Sequence, residues 1–313
     1  MSRSRGTLDC RDGLRAIVLG SAAGGGVPQW NCGCHVCTLA RSGNGQVRSR
    51  TQASVAVSAD GQNWMLVGAS PDLRQQIEAT PALWPDGTER NSPIFAVTLV
   101  SADIDGIAGL LTLREAQPFR VIAPAPILDT IAANTVFGVL DPSLVAQTPL
   151  VPGVRLTCDH GLHVTLLVMP GKVPLYLEDR TAALPARAAA YAALIEAHGR
   201  RILVAPACAE ITESVRVAVA EADIVFFDGT LFTDDEMIAA GVSRKTGRRM
   251  GHAPLSGPDG TLARLADVPA RRILLHINNT NPVLIENSPE RHSAERAGFE
   301  VAHDGMEVCL WTG

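Results

Sequence analysis

Apolar residues in this chain come in short runs, and several runs end directly at a group able to bind a metal or move a proton. Residues 14–19 read as a first strand. Residues 54–58 alternate apolar and polar, Asp60-Gly61 supplies a turn and residues 64–67 are apolar, which predicts a β-hairpin. A short amphipathic helix opens at Pro71-Asp72 and runs to Glu78. Ile107, Leu110, Leu111 and Leu113 fall at helical spacing, so a helix is expected over 105–116. Further strands are expected at 119–122 and 163–168. An Ala-rich helix at 186–197 precedes strand 201–204, helix 212–222, strand 223–227, helices 234–240 and 261–267, strand 272–276 and helix 289–297. Two short strands, 299–302 and 306–311, flank the turn Asp304-Gly305. A hairpin followed by β-α alternation predicts an α/β architecture with helices packed outside mixed sheets.

Three strand ends deliver polar groups in the same way. The run 97–100 leads to Asp105, the run 224–227 to Asp228, and the run 273–275 to His276. Groups leaving the ends of buried strands converge on a crevice in layered α/β folds, so these three are candidates for one shared metal. Ser101 to Gly106 resembles the start of a calcium loop, but Ser101 and Thr112 replace the charged ligands such a loop needs at its ends. Asp105 reads equally as a helix N-cap. His252, in the polar loop 247–260, is a candidate general acid/base or further ligand, because a neutral imidazole serves either purpose near pH 7.

Cys32, Cys34 and Cys37 place three thiols within six residues, which suits a structural Zn²⁺ that crosslinks a tight turn. Asn279, Cys208 and water are candidates for the fourth ligand. Cys158, Cys208 and Cys309 are isolated. The Gly-rich stretch 20–28 follows a strand, but Val27 and Pro28 stand where a phosphate loop would carry Lys and Ser/Thr, so a close backbone passage is the better reading.

Composition narrows the remaining choices. With 313 residues, 46% of them hydrophobic, the chain has enough apolar surface for one large domain, expected over 14–313 behind a polar extension at 1–13. The net charge of −5 and short, separated Arg pairs argue against nucleic acid as a partner. No run approaches the roughly 18 apolar residues of a membrane span. Three of seven cysteines crowd together, which fits a reducing compartment, and a soluble cytoplasmic protein is expected.

The segments Gly24-Gly25-Gly26-Val27-Pro28-Gln29-Trp30-Asn31-Cys32, Arg50-Thr51-Gln52, Ala69-Ser70-Pro71-Asp72, Phe227-Asp228-Gly229-Thr230, Met250-Gly251-His252 and His276-Ile277-Asn278-Asn279-Thr280-Asn281-Pro282 together resemble the coenzyme PQQ synthesis protein B family. The resemblance runs from about residue 14 to 310. It implies the metallo-β-lactamase fold, a four-layer αβ/βα sandwich with a metal site at the edge between two sheets. The HxHxDH motif of metal-loaded relatives falls here on Ser101, Asp103, Asp105 and Gly106, so Gly106 stands where the family carries His. Asp105, Asp228 and His276 match retained metal ligands, and His252 matches a loop histidine. The implied function lies in biosynthesis of pyrroloquinoline quinone (PQQ): iron-dependent hydroxylation of the Tyr ring of a Glu-Tyr-derived precursor, with Fe(II) at the active site and other PQQ-pathway proteins as possible partners. The alternative is non-catalytic binding or transport of PQQ or its precursor toward the periplasm. A hydrolase is disfavoured because the His-rich motif is missing.

Overall fold

The computed structural model describes residues 13–87, 89–174, 176–177 and 190–311. Nearly all of the polar extension expected at 1–13 lies outside these residues. Two seven-stranded sheets face one another. The first contains β1 (Gly13–Gly20), β2 (Ser54–Ser58), β3 (Trp64–Val67), β4 (Ile94–Thr98), β5 (Phe119–Ala123), β6 (Val145–Pro149) and β14 (Glu307–Trp311), in the order β14-β1-β2-β3-β4-β5-β6. The second contains β7 (Arg155–Thr157), β8 (His163–Met169), β9 (Ala190–Ala197), β10 (Arg200–Ala205), β11 (Ile224–Asp228), β12 (Arg271–Leu275) and β13 (Phe299–Val301), in reverse chain order across the sheet. Strands β3 to β6 and β10 to β13 run parallel, and the other pairings are antiparallel. The expected hairpin is β2–β3, with Val55 opposite Val67.

The helices are α1 (His35–Ser42), α2 (Leu73–Glu78), α3 (Ile104–Ile107), α4 (Ala125–Ala133), α5 (Glu213–Ala220), α6 (Glu236–Ala239), α7 (Gly247–Met250), α8 (Thr261–Arg264) and α9 (Pro289–Arg296). The polar residues before several of them act as caps: Thr212 accepts the Val215 N–H, Thr246 that of Arg249 and Ser288 that of Arg291.

Period-2 alternation of fully apolar strands builds two cores. Ile224 and Phe226 of β11 face the layer between the sheets, whereas Val225 and Phe227 face α1, α5, α8 and α9 on the outer side. Ile202 and Val204 of β10 likewise face inward, and Leu203 and Ala205 outward. Burial on both faces is why these runs lack polar residues.

Two sequence expectations change here. The segment expected as an Ala-rich helix at 186–197 is, over its described part, the central strand β9, paired to β8 and β10. Tyr191, Ala193 and Ile195 join the inner core while Ala192 and Leu194 join the outer one, so burial on both faces overrides the helix preference of alanine. The helix expected over 105–116 is only α3 and a 3₁₀ turn, Ala108–Leu111. Its ladder is diverted: the Gly106 carbonyl accepts from Ala69 N–H, and the Gly109 N–H donates to the Ala69 carbonyl. A Cβ on Gly109 would lie 2.2 Å from the Ser70 carbonyl oxygen, so this approach needs glycine.

The two C-terminal strands do not pair with each other. β13 closes one sheet and β14 the other, and the Asp304-Gly305 turn carries the chain across. Cys309, on β14, is disulfide-bonded rather than a free thiol.

Candidate metal centre and its cavity

Both sheets contribute to a cavity of about 330 Å³, lined in part by Asp103, Asp105, Lys172, His252, His276 and Asn278. Asp228 is the last residue of β11 and is 1% exposed. Its Oδ2 accepts from Cys208 N–H at 2.9 Å and from His252 Nδ1 at 2.8 Å, and its Oδ1 accepts from the Thr230 N–H at 3.0 Å and hydroxyl at 2.6 Å. Burial by itself would raise its pKa, but the nearby imidazoles and these donors hold the carboxylate below its ordinary range.

His276 follows β12 immediately and adopts φ +57°, a left-handed conformation that costs a non-glycine residue on the order of 1–3 kcal/mol. That backbone turn sets the imidazole between the sheets. Its Nδ1 meets the Thr230 hydroxyl at 2.9 Å, and its Nε2 meets Asp105 Oδ2 at 3.0 Å. Burial pushes the His276 pKa down, yet the hydrogen bond and charge of Asp105, with Asp228 and Asp103 behind it, carry it above the ordinary value. Asp105 is depressed in return: His276 overcomes its burial. The rings of His252 and His276 stack at 5.3 Å with an interplanar angle of 20°.

All four sequence candidates therefore reach one cluster, through different contacts. Asp228, His252 and His276 can each offer a ligand atom within 4.8 Å of the others, a spread one ion can bridge. Asp105 joins through His276; it sits in the first turn of α3, makes no N-cap bond, and reaches across to the other sheet. A donor set of one carboxylate and two imidazoles fits a divalent transition metal with open positions. Gly106 faces away from crowding: a Cβ there would have Ser101 Oγ at 3.3 Å as its nearest neighbour, a contact a side chain can relax. The Gly-rich stretch forms a wall of the site, since a Cβ on Gly24 would meet Asp105 Oδ2 at 3.3 Å.

Thr230 is the residue that sequence reasoning left without a role. One hydroxyl joins Asp228 to His276, and its only signal was its place in Asp228-Gly229-Thr230. Asp103 is a second such residue: burial and the neighbouring Asp105 raise its pKa, against the opposing charge of Lys172.

The cysteine cluster lies on the second sheet's helical side. Cys34 is the N-cap of α1, Cys37 is in its first turn, and the sulfurs of Cys32, Cys34 and Cys37 lie within 4.8 Å of one another. Burial pushes the Cys34 thiol up to about 12, while Cys32 is lowered, because N–H and thiol donors outweigh its modest burial. Three thiols so close cannot all ionise without a cation, and their softness fits zinc. Among the fourth-ligand candidates, Asn279 is adjacent: its carbonyl oxygen lies 3.4 Å from Cys34 Sγ and its Nδ2 3.3 Å from Cys37 Sγ. Cys208 lies instead at Asp228, donating its N–H there.

Comparison with known proteins gives concordant matches. Residues 63–277 match the Beta-lactamase superfamily domain. The chain is similar to Coenzyme PQQ synthesis protein B of Methylobacterium nodulans, 54% identical, and of Methylobacterium sp. strain 4-46, 52% identical; each match covers 95% of this chain and 100% of the relative. It is also similar to the crystal structure of Zn²⁺-bound PqqB from Methylobacterium extorquens, with a TM-score of 0.91 and 50% identity over 95% of this chain and 100% of that one. A diphosphatase of the PhnP family, 19% identical with a TM-score of 0.67 over 95% of this chain and 97% of that one, shares the fold.

Proposed function

Because the chain belongs to the beta-lactamase superfamily and, by near full-length identity to its relatives, to the coenzyme PQQ synthesis protein B family, we propose that it acts in biosynthesis of pyrroloquinoline quinone as a metal-dependent hydroxylase of the tyrosine-derived ring of the precursor. The observation that carries this reading is the meeting of Asp228, His252 and His276 at one cavity. Two imidazoles and a carboxylate with open positions suit Fe(II), which when bound supplies activation of O₂. Thr230 orients Asp228 and, at Nδ1, His276, so His276 Nε2, which faces Asp105 Oδ2, is the nitrogen that would hold the ion once it gives up its proton. His252 donates from Nδ1 to Asp228, which leaves Nε2 to hold the ion or to take a proton. Lys172 lines the same cavity with Asp103, an acid that burial and Asp105 push toward its protonated form. The Lys172 ammonium matches the carboxylates that a precursor made from Glu and Tyr carries. The Cys32, Cys34 and Cys37 cluster, with Asn279, is proposed as a structural zinc site.

A second reading, favoured by Gly106, is non-catalytic carriage of PQQ or its precursor toward the periplasm. Among the described residues no helix is long and apolar enough to cross a membrane, so such a carrier would bind its cargo in the cavity.

Metal analysis of the purified full-length chain separates the two. The hydroxylase reading expects near-stoichiometric iron that His276→Ala removes, with zinc retained. Zinc alone in the unmodified chain, together with iron and O₂-dependent hydroxylation gained in Gly106→His, would instead support the carrier.

A further inference from the structure

A buried acid outside the metal cluster reaches the same cavity through a relay. Glu236 Oε2 accepts the Phe232 N–H at 2.7 Å, and its Oε1 accepts the Thr280 hydroxyl at 2.5 Å. The Thr280 oxygen accepts the Asn278 side-chain N–H at 2.7 Å, and Asn278 lines the cavity beside His276. Glu236, Thr280 and Asn278 are 9%, 7% and 7% exposed.

Such a chain has a direction. An ionised carboxylate only accepts, so Thr280 must donate to it. The Thr280 oxygen must then accept one N–H of Asn278 Nδ2, which leaves Oδ1 as a free acceptor for the cavity beside the second N–H. A proton on the Glu236 oxygen facing Thr280 reverses every bond: Thr280 donates to Asn278 Oδ1, and Nδ2 becomes the free group. The Asn278 backbone is fixed in both states, its N–H on Thr230 and its carbonyl accepting from Asn281, so the reversal needs only rotation of the amide.

We propose that Glu236 is a positioning residue that sets, through Thr280, whether Asn278 offers a hydrogen-bond acceptor or a donor to the molecule bound in the cavity. The acceptor state selects a phenol hydroxyl or ammonium, and the donor state a carboxylate or quinone carbonyl. Assigning those groups to a substrate rests on the function proposed above; the relay itself does not. Burial is the main influence on Glu236 and pushes its pKa up to about 7, against the Thr280, Phe232 and Thr233 donors, with the charge of Asp235 adding to the rise. The groups facing it from the 230–233 and 278–281 loops are uncharged N–H and hydroxyl donors.

Glu236→Gln tests the direction. Its single side-chain oxygen is claimed by the fixed Phe232 N–H, so its NH₂ faces Thr280 and imposes the reversed chain at every pH. The readout is the Asn278 side-chain amide signal of the ¹⁵N-labelled full-length chain without substrate, identified by its absence in Asn278→Ala. In the unmodified protein the signal is expected to titrate with a midpoint near 7. In Glu236→Gln it should hold the low-pH position throughout, and at pH 8 its protons should exchange with water faster than in the parent. Thr280→Val cuts the relay without removing the acid and should abolish the titration too. A signal that titrates alike in all three proteins, or in none, overturns the proposal. The readout needs neither iron nor turnover, so its failure and that of the hydroxylase reading are separable.

Discussion

Residues 105, 228, 252 and 276 were recognisable as candidates because Asp and His directly after apolar runs, or in a Gly-rich polar loop, are readable in one dimension. Their roles were not. Asp105 read as a ligand or a cap, and its carboxylate meets His276 Nε2, 171 positions away along the chain. Thr230 gave no signal beyond its place after Asp228-Gly229, and Glu236 gave none, because a hydroxyl or a carboxyl takes its role from what surrounds it. Glu236 makes the clearest prediction of a single-residue effect. Its folded pKa of about 7 lies above the ordinary 4.5, so the folded protein keeps a proton that the unfolded chain releases. The associated stability is fully present below pH 4.5 and is lost as pH rises through 7, a difference on the order of 3 kcal/mol by pH 8. Glu236→Gln should therefore match the parent in urea denaturation near pH 5 and exceed it increasingly toward pH 8. A stability difference that does not change with pH would count against the buried acid.

At the scale of elements, the hairpin β2–β3 and the alternating strands were legible because their periodicity is local. The helix expected at 186–197 was misread for a definite reason: alanine is apolar enough to be buried and small enough to sit between two cores, and only the partners of β9 decide between strand and helix. The loop before α1 depends on a different kind of bond. It is held by Arg41, whose guanidinium donates to the Cys32 and Gln29 carbonyls, and by the cysteine cluster against Asn279. Cys34→Ser should cost zinc content and lower the melting temperature by about 5 °C or more, as several kcal/mol of metal-linked stability is lost. Unchanged zinc in that variant would refute a structural metal there.

Across the whole molecule, the two sheets are tied together beside the site by Asp304. Its carboxylate, carried on the crossing from β13 to β14, accepts the N–H and hydroxyl of Ser21 and of Thr51, at 2.6 to 3.0 Å. Asp304→Ala leaves four donors without their acceptor and should destabilise the protein by about 3 kcal/mol, seen as a lower urea midpoint; a shift below about 0.5 kcal/mol would mean that water replaces the carboxylate at no cost. By itself the sequence determined the α/β class, the strand periods, the types of ligand and, through its motifs, the family. Tertiary structure alone decided that β4, β11 and β12 end at one cavity, that His252 stacks on His276, and that Asn279 rather than Cys208 sits at the thiols. The physical reason is separation along the chain: side-chain periodicity reports only neighbours a few positions apart, whereas this cluster is assembled by packing two sheets whose strands lie more than a hundred residues apart.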